Sequence, residues 1–141
     1  MKVFYIFKLK KEVYEIYQKT PSVIYNFLRM IKNSSQEELE YNIVLYREII
    51  DVFDKAKMDL DIFIKLHNKM RYMKRNEEHI INDIFKDEVS IMKIKKSYIL
   101  INSNKNTSEF FNIVKEKYKE CIVCDFANQK YFYLTDIKML V

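Results

Sequence analysis

Glycine is absent from this chain of 141 residues, tryptophan is absent too, and proline occurs once, at Pro21. Glycine takes positive φ at little steric cost and lets the backbone approach a phosphate closely. Without it there is no Walker loop, no dinucleotide-binding fingerprint and no G-x-S-x-G nucleophile elbow. No apolar run approaches the ~20 residues that span a bilayer. An AT-rich coding sequence would produce the same scarcity, with its wealth of Ile, Lys and Asn. The absence therefore excludes motifs without dictating a fold. It points to a protein that works through its surface.

What the chain does contain is ample material for a core. Hydrophobic residues make up 49% of it, with ten Phe and eleven Tyr. Disordered chains are poor in such residues, and the length suits one domain spanning residues 1–141. The net charge of +5 comes from 25 basic and 20 acidic residues. The densest basic stretch, Lys65, Lys69, Arg71, Lys74 and Arg75, makes no clean helical stripe and runs into Glu77 and Glu78. It reads as a solvated face that steers weakly toward an acidic partner. The opening segment has neither the length nor the small-residue cleavage site of a secretory signal. A cytoplasmic setting with reduced cysteines is expected.

Residues Val3 to Leu9 are apolar on both alternating faces, the pattern of a strand covered on both sides. Lys10 to Gln18 switches to helical spacing. Thr20 and Pro21 signal the next helix start, with Ile24, Phe27, Leu28 and Ile31 as its core stripe. Ser35 and Glu38 form a capping-box pair for a third helix whose face is Leu39, Ile43 and Tyr46. Glu48 to Phe53 fits helix and strand equally. Asp54 is expected to cap a long helix reaching about Lys74, with Met58, Ile62, Leu66, Met70 and Met73 as its stripe. Short strands follow at Ile80–Phe85, Val89–Ile94 and Tyr98–Ile101, joined by loops longer than two residues because no glycine is available. After a polar loop from Asn102 to Asn106, Asn106 and Glu109 are expected to cap a helix with Phe110, Val114 and Tyr118 on its face. Strands at Cys121–Phe126 and Lys130–Leu134 close the chain. The predicted class is α+β, a single mixed, mainly antiparallel sheet with helices packed on it.

Few residues suggest chemistry. Cys121 and Cys124 have redox or zinc spacing, but Ile122 and Val123 between them read as strand, which sends the thiols to opposite faces. A zinc site would need two further ligands. Buried core cysteines are the expectation. His67 and His79 lack a nucleophile constellation and are expected to be structural or surface residues. Asp59 with Asp61, and Glu37 with Glu38, read as cap and dipole residues. No metal, cofactor or catalytic set is expected.

The first helix is more suggestive. Val13, Tyr14 and Tyr17 cluster on about one turn among Lys10, Lys11, Glu12 and Glu15. One short helix cannot bury its whole surface, so at least one tyrosine is expected outside. An exposed tyrosine is either a core-edge residue with a wet hydroxyl or an interface anchor.

Three segments resemble the sporulation inhibitor of replication family. CIVCDFANQKYFYLTDIK, from Cys121 to Lys138, is similar to a closing pattern C-F-x-A-x-D-F-x-x-x-R-Y-G-W-L-N-P-x-K. VFYIFKLKKEVYEIY, from Val3 to Tyr17, resembles the opening Y-Y-x-Y-L-I-K-E-E-F-A-x-H-Y, and SEFFNIV, from Ser108, resembles E-T-x-F-F-E-V-L. Phe132 stands in place of the pattern's glycine and Tyr133 in place of its tryptophan. Thr135 and Asp136 replace Asn-Pro, and Lys19 replaces the glycine that closes the first helix. The resemblance implies a small non-enzymatic regulator that binds the N-terminal domain of the replication initiator DnaA during sporulation. It implies no small-molecule substrate, no cofactor, no membrane and no direct nucleic-acid contact. The family's aromatic pair on the first helix maps to Val13 and Tyr17, with Tyr14 beside them, and its polar patch falls near Glu48. Tyr17 is the expected anchor. The alternative is a small basic module that contacts nucleic acid through the long helix.

Overall fold

Strand β1 (Lys2–Leu9) lies inside the sheet, where its doubly apolar pattern places it. The structure is a computed structural model that describes residues 1–137, so the Lys138 end of the closing pattern lies outside the described residues. After β1 come α1 (Lys11–Tyr17), α2 (Pro21–Lys32), α3 (Gln36–Ile49), β2 (Ile50–Asp51) and α4 (Lys55–Leu66). Then follow β3 (Tyr72–Arg75), β4 (Glu78–Asp83), β5 (Glu88–Ile94), β6 (Ile99–Ser103), α5 (Glu109–Lys117), β7 (Cys121–Asp125), β8 (Lys130–Tyr133) and a 3-10 turn at Leu134–Asp136. The strand order is β3-β4-β5-β6-β1-β7-β8, with β2 pairing to the end of β1. Every pairing among the described strands is antiparallel. The expected α+β architecture is what forms.

Alternation along β1 divides the core in two. Phe4 and Ile6 face α4 and α5, in a cluster with Met58, Ile62, Phe110, Phe111 and Val114. Phe7 and Leu9 face the other way, in a cluster with Ile24, Tyr25 and Leu28 of α2 and Tyr133 of β8. Buried side chains of this size are each worth about 1.5–3 kcal/mol, so a one-residue slip of β1 would invert both cores at once. Cys121 and Cys124 of β7 obey the same alternation: each is fully buried, one in each cluster.

Three boundaries differ from the sequence pattern. The long helix expected to reach Lys74 stops at Leu66, and residues Tyr72–Arg75 form the edge strand β3 instead. Met58, Ile62 and Leu66 are buried as the stripe requires, but Met70 is 104% and Met73 50% exposed. The register Tyr72↔Ile81 inserts the Tyr72 ring into the core, which one further helical turn could not do. Ile84 and Phe85, expected in a strand, sit exposed in the turn between β4 and β5. The α5 N-cap is Ser108, not Asn106. Ser108 Oγ accepts from the Phe110 N–H (3.2 Å) and donates to the Glu88 carboxylate (3.0 Å), while the Asn106 side chain accepts from Lys2. The buried Glu88 also accepts from the Glu109 N–H (3.1 Å), placing a negative charge against the helix N-terminus. Asp54 and Ser35 do cap their helices as expected, whereas Thr20 makes no side-chain cap bond.

The turns show how the chain manages without glycine. Asn76, Asp87 and Gln129 take φ of 53°, 51° and 54°. Asn and Asp tolerate this left-handed region better than other residues with a Cβ. Gln129 has no such advantage. Gln129→Gly is therefore expected to raise unfolding stability by about 1 kcal/mol, read from the urea midpoint. An unchanged or lower midpoint would mean that the turn is unstrained.

Candidate functional site

The groups that could carry chemistry are tied into structure. Burial pushes both cysteine thiols far above their ordinary value, so neither supplies a thiolate near neutral pH. His67 sits exposed at the end of α4, its Nδ1 donating to the Phe63 and Ile64 carbonyls (3.1 and 3.0 Å). Among the described residues, no group of three or more His, Cys, Asp or Glu could hold a metal ion.

His79 is fully buried, which its isolation from other chemical groups in the sequence did not reveal. Its Nε2 lies 2.7 Å from Asp59 Oδ1, and its Nδ1 lies 2.7 Å from the Tyr72 hydroxyl. Asp59 also accepts from Lys55 (2.7 Å). A carboxylate can only accept, so Nε2 carries the proton and Tyr72 donates to Nδ1. Burial lowers the His79 pKa below its ordinary 6.5, against the opposing Asp59 charge; Lys74 and Lys55 lower it further. For Asp59, burial acts upward, but the bonds from Lys55 and His79 outweigh it and hold the carboxyl below its usual range. Burial and the Asp59 charge push Tyr72 up to about 12. This relay, with a neutral imidazole at its centre, fastens β3 and β4 to α4.

The basic run from Lys65 to Arg75 likewise forms no single stripe. It crosses the end of α4, a turn and the edge strand β3. Lys65 pairs with Glu116, and Arg71 Nε donates to Glu109 (3.0 Å). The long basic helix on which a nucleic-acid reading rested is not formed.

The first helix is held from beneath and open above. The Lys10 N–H donates to the Ile49 carbonyl at the end of α3 (3.0 Å). At the other end of α1, the Tyr17 carbonyl accepts from the Tyr133 hydroxyl (2.7 Å) and from the Thr20 N–H (3.0 Å). Tyr14 meets the Tyr133 ring edge-on, centroids 5.1 Å apart, and its hydroxyl lies 2.9 Å from Thr135 Oγ1. Burial first, then Tyr14 and Asp136, push the Tyr133 phenol up to about 12, so it remains a donor.

No residue of α1 is fully buried. Val13, Tyr14 and Tyr17 are half-buried against the second core cluster. Tyr17 thus lies neither in the core nor free in water: one side of its ring is backed by protein. The outermost apolar side chain of the helix is Ile16, 72% exposed. Glu48 is exposed in the last turn of α3, one residue from the carbonyl that anchors Lys10. Tyr41 and Val44, 71% and 57% exposed, stand seven and four residues before it and share its helix face. Sequence reasoning identified only the buried-side stripe of α3. The signal for Tyr41 and Val44 was a second apolar pair at the same period on the opposite face.

The two lowered groups of the relay, His79 and Asp59, act in one direction on stability. The folded pKa of His79 lies below its unfolded value, so on acidification the unfolded chain takes up a proton before the folded one. The stabilisation is present above about pH 6.5 and is lost as the pH falls below that value. Asp59, also lowered, loses its contribution as the pH falls through the carboxylate range. The urea midpoint is therefore expected to drop between pH 7.5 and pH 5. His79→Leu should flatten that drop. At neutral pH it should cost about 1–3 kcal/mol because Tyr72 loses its acceptor. An equal slope in both proteins would remove His79 from the titration.

No helix among the described residues is long and apolar enough to cross a membrane. The chain matches the family described as "Sporulation inhibitor of replication protein SirA" over residues 2–138. No curated protein matches the chain.

Proposed function

This chain belongs to the sporulation inhibitor of replication family, and from that premise we propose that it restrains the replication initiator DnaA by docking on the initiator's N-terminal domain. The family assignment carries the inhibitory role. The site is our own reading: Val13, Tyr14 and Tyr17 of α1 form the apolar centre, and Glu48 of α3 forms the polar rim. The act is binding alone. It covers an initiator surface and leaves chemistry to neither partner.

One observation carries this reading: α1 is fastened at both ends yet buries none of its residues completely. A helix pinned in this way presents its side chains already ordered, which lowers the entropic cost of association. Tyr17 suits an anchor, because a ring packed on one side keeps a defined rotamer and offers its other side to a partner. Ile16 extends the apolar surface outward, and Tyr41 and Val44 extend the Glu48 face. Cysteine reactivity and metal binding have no part in it.

Calorimetric titration against the isolated N-terminal domain of DnaA tests the proposal. Tyr17→Ala is expected to weaken binding about thirtyfold, the effect of losing an interface anchor worth about 2 kcal/mol. Because Tyr17 is half-buried, this variant should also lose some thermal stability. Ile16→Glu and Glu48→Lys, both at exposed positions, supply the control. Each should keep the wild-type melting temperature and still reduce affinity. Undiminished affinity in both would overturn the site. Binding to origin DNA without the initiator, falling steeply with salt, would replace the proposal with direct nucleic-acid recognition.

A further inference from the structure

A cleft lies between α2, α3 and the sheet, lined by none of the α1 residues. Five aromatic rings wall this cleft of about 230 Å³: Tyr5, Phe7, Tyr46, Tyr98 and Phe126, with Lys32 at its edge. Tyr5 and Phe7 are stacked at 13°, and the other pairs meet at tilted or edge-on angles, Tyr5 lying 5.5 Å from Tyr98 and 5.4 Å from Phe126. The Tyr46 hydroxyl donates to the Ser97 carbonyl (3.1 Å), so that polar wall group is satisfied. The Lys32 ammonium is held over two of the rings, 4.7 Å from the Phe126 centroid and 5.3 Å from that of Tyr5.

Beyond Lys32 and Phe126 the cleft continues into a polar groove of about 520 Å³, where Arg29, Asn33 and Gln129 join the lining. Among the described residues neither Arg29 nor Lys32 has a carboxylate within ion-pair distance. An apolar slot thus opens beside two unpaired cations. None of Val13, Tyr14, Tyr17 and Glu48 lines either space.

We propose that this cleft docks an acidic peptide segment of a partner protein, with one aromatic or aliphatic side chain in the slot and an adjacent carboxylate on Lys32 and Arg29. Size favours a single side chain, because the slot is smaller than the ~300–1,000 Å³ of sites that enclose a whole cofactor or drug-sized ligand. Charge favours an acidic neighbour: a carboxylate can pair with Arg29 in fork geometry and with Lys32 as a point charge. Single-stranded nucleic acid fits less well. It needs open ring faces for stacking and a track of cations along its backbone. Here the Tyr5 and Phe126 faces already carry the Lys32 ammonium, and the mouth holds two cations only.

Nuclear magnetic resonance titration of the full chain with the capped tripeptide Asp-Phe-Asp tests the assignment. Saturable shifts are expected at the backbone amides of Lys32, Ser97, Tyr98 and Phe126. Lys32→Glu and Arg29→Glu, both at exposed positions, should each weaken binding about tenfold; each gives up a ring contact and should lower the melting temperature only slightly, with amide shifts away from the cleft unchanged. The tripeptides Asp-Ala-Asp and Lys-Phe-Lys should bind at least about tenfold more weakly than Asp-Phe-Asp. Tyr17→Ala should leave tripeptide affinity unaltered, which separates this site from the one on α1. Equal binding of the charge-swapped peptide, shifts centred on α1, or displacement of the tripeptide by octathymidylate would each overturn the proposal.

Discussion

Everything in this protein is arranged around one strand with no exposed face. β1 pairs with β6 and β7 along its two sides, and β2 takes over from β6 beside Lys8 and Leu9. Its even residues Phe4 and Ile6 and its odd residues Phe7 and Leu9 are buried in opposite cores. Dense alternation of this kind fixes register, because any slip would move large side chains to the wrong layer. Register in turn fixes where the strand ends. The Leu9 N–H donates to the Glu120 carbonyl (2.7 Å) and the next residue bonds to Ile49, so the chain leaves the sheet at a defined point and in a defined direction.

The first helix inherits its position from that exit. At seven residues, α1 is too short to be stable alone. Its order comes from contacts at its two ends and from the rings beneath it. Tyr133 is central here. It stands where the resembling family pattern has tryptophan, and it fills the core while its hydroxyl closes the helix through the Tyr17 carbonyl. The same bond accounts for Lys19 in place of a helix-closing glycine. The last carbonyl is satisfied by Tyr133 and Thr20, and no left-handed residue is needed there.

Two polar clusters inside the fold draw partners from distant segments, while the buried Tyr25 hydroxyl and Asn112 Oδ1 have none among the described residues. His79 joins Asp59 to Tyr72, and Glu88 joins a strand to the N-terminus of α5. Such groups would be costly if left alone in a low-dielectric interior. Their value lies in holding the edge strand β3, its neighbour β4 and the start of β5 onto the helical layer. The aromatic cleft beside α2 differs, since its mouth carries cations with no carboxylate in reach among the described residues.

What the sequence determined by itself was local or periodic. The doubly apolar run from Val3 to Leu9 required a covered strand, the stripe through Ile24 and Leu28 required a core-facing helix, and odd spacing required Cys121 and Cys124 to part. The clustering of Val13, Tyr14 and Tyr17 on one turn was legible for the same reason. Tertiary structure alone decided the rest, because those outcomes depend on partners far along the chain. Met70 and Met73 continue a helical period, yet pairing of Tyr72 with Ile81 drew that stretch into a strand. Whether His79 was structural or on the surface was open in the sequence, and the fold settled it by carrying Asp59 and Tyr72 to its two nitrogens. The degree to which Tyr17 is covered, and the nearness of Glu48 to α1, rest on Tyr133 and on the Lys10–Ile49 bond. A period in sequence records which side of an element is apolar, whereas burial depends on what other segments are brought against that side.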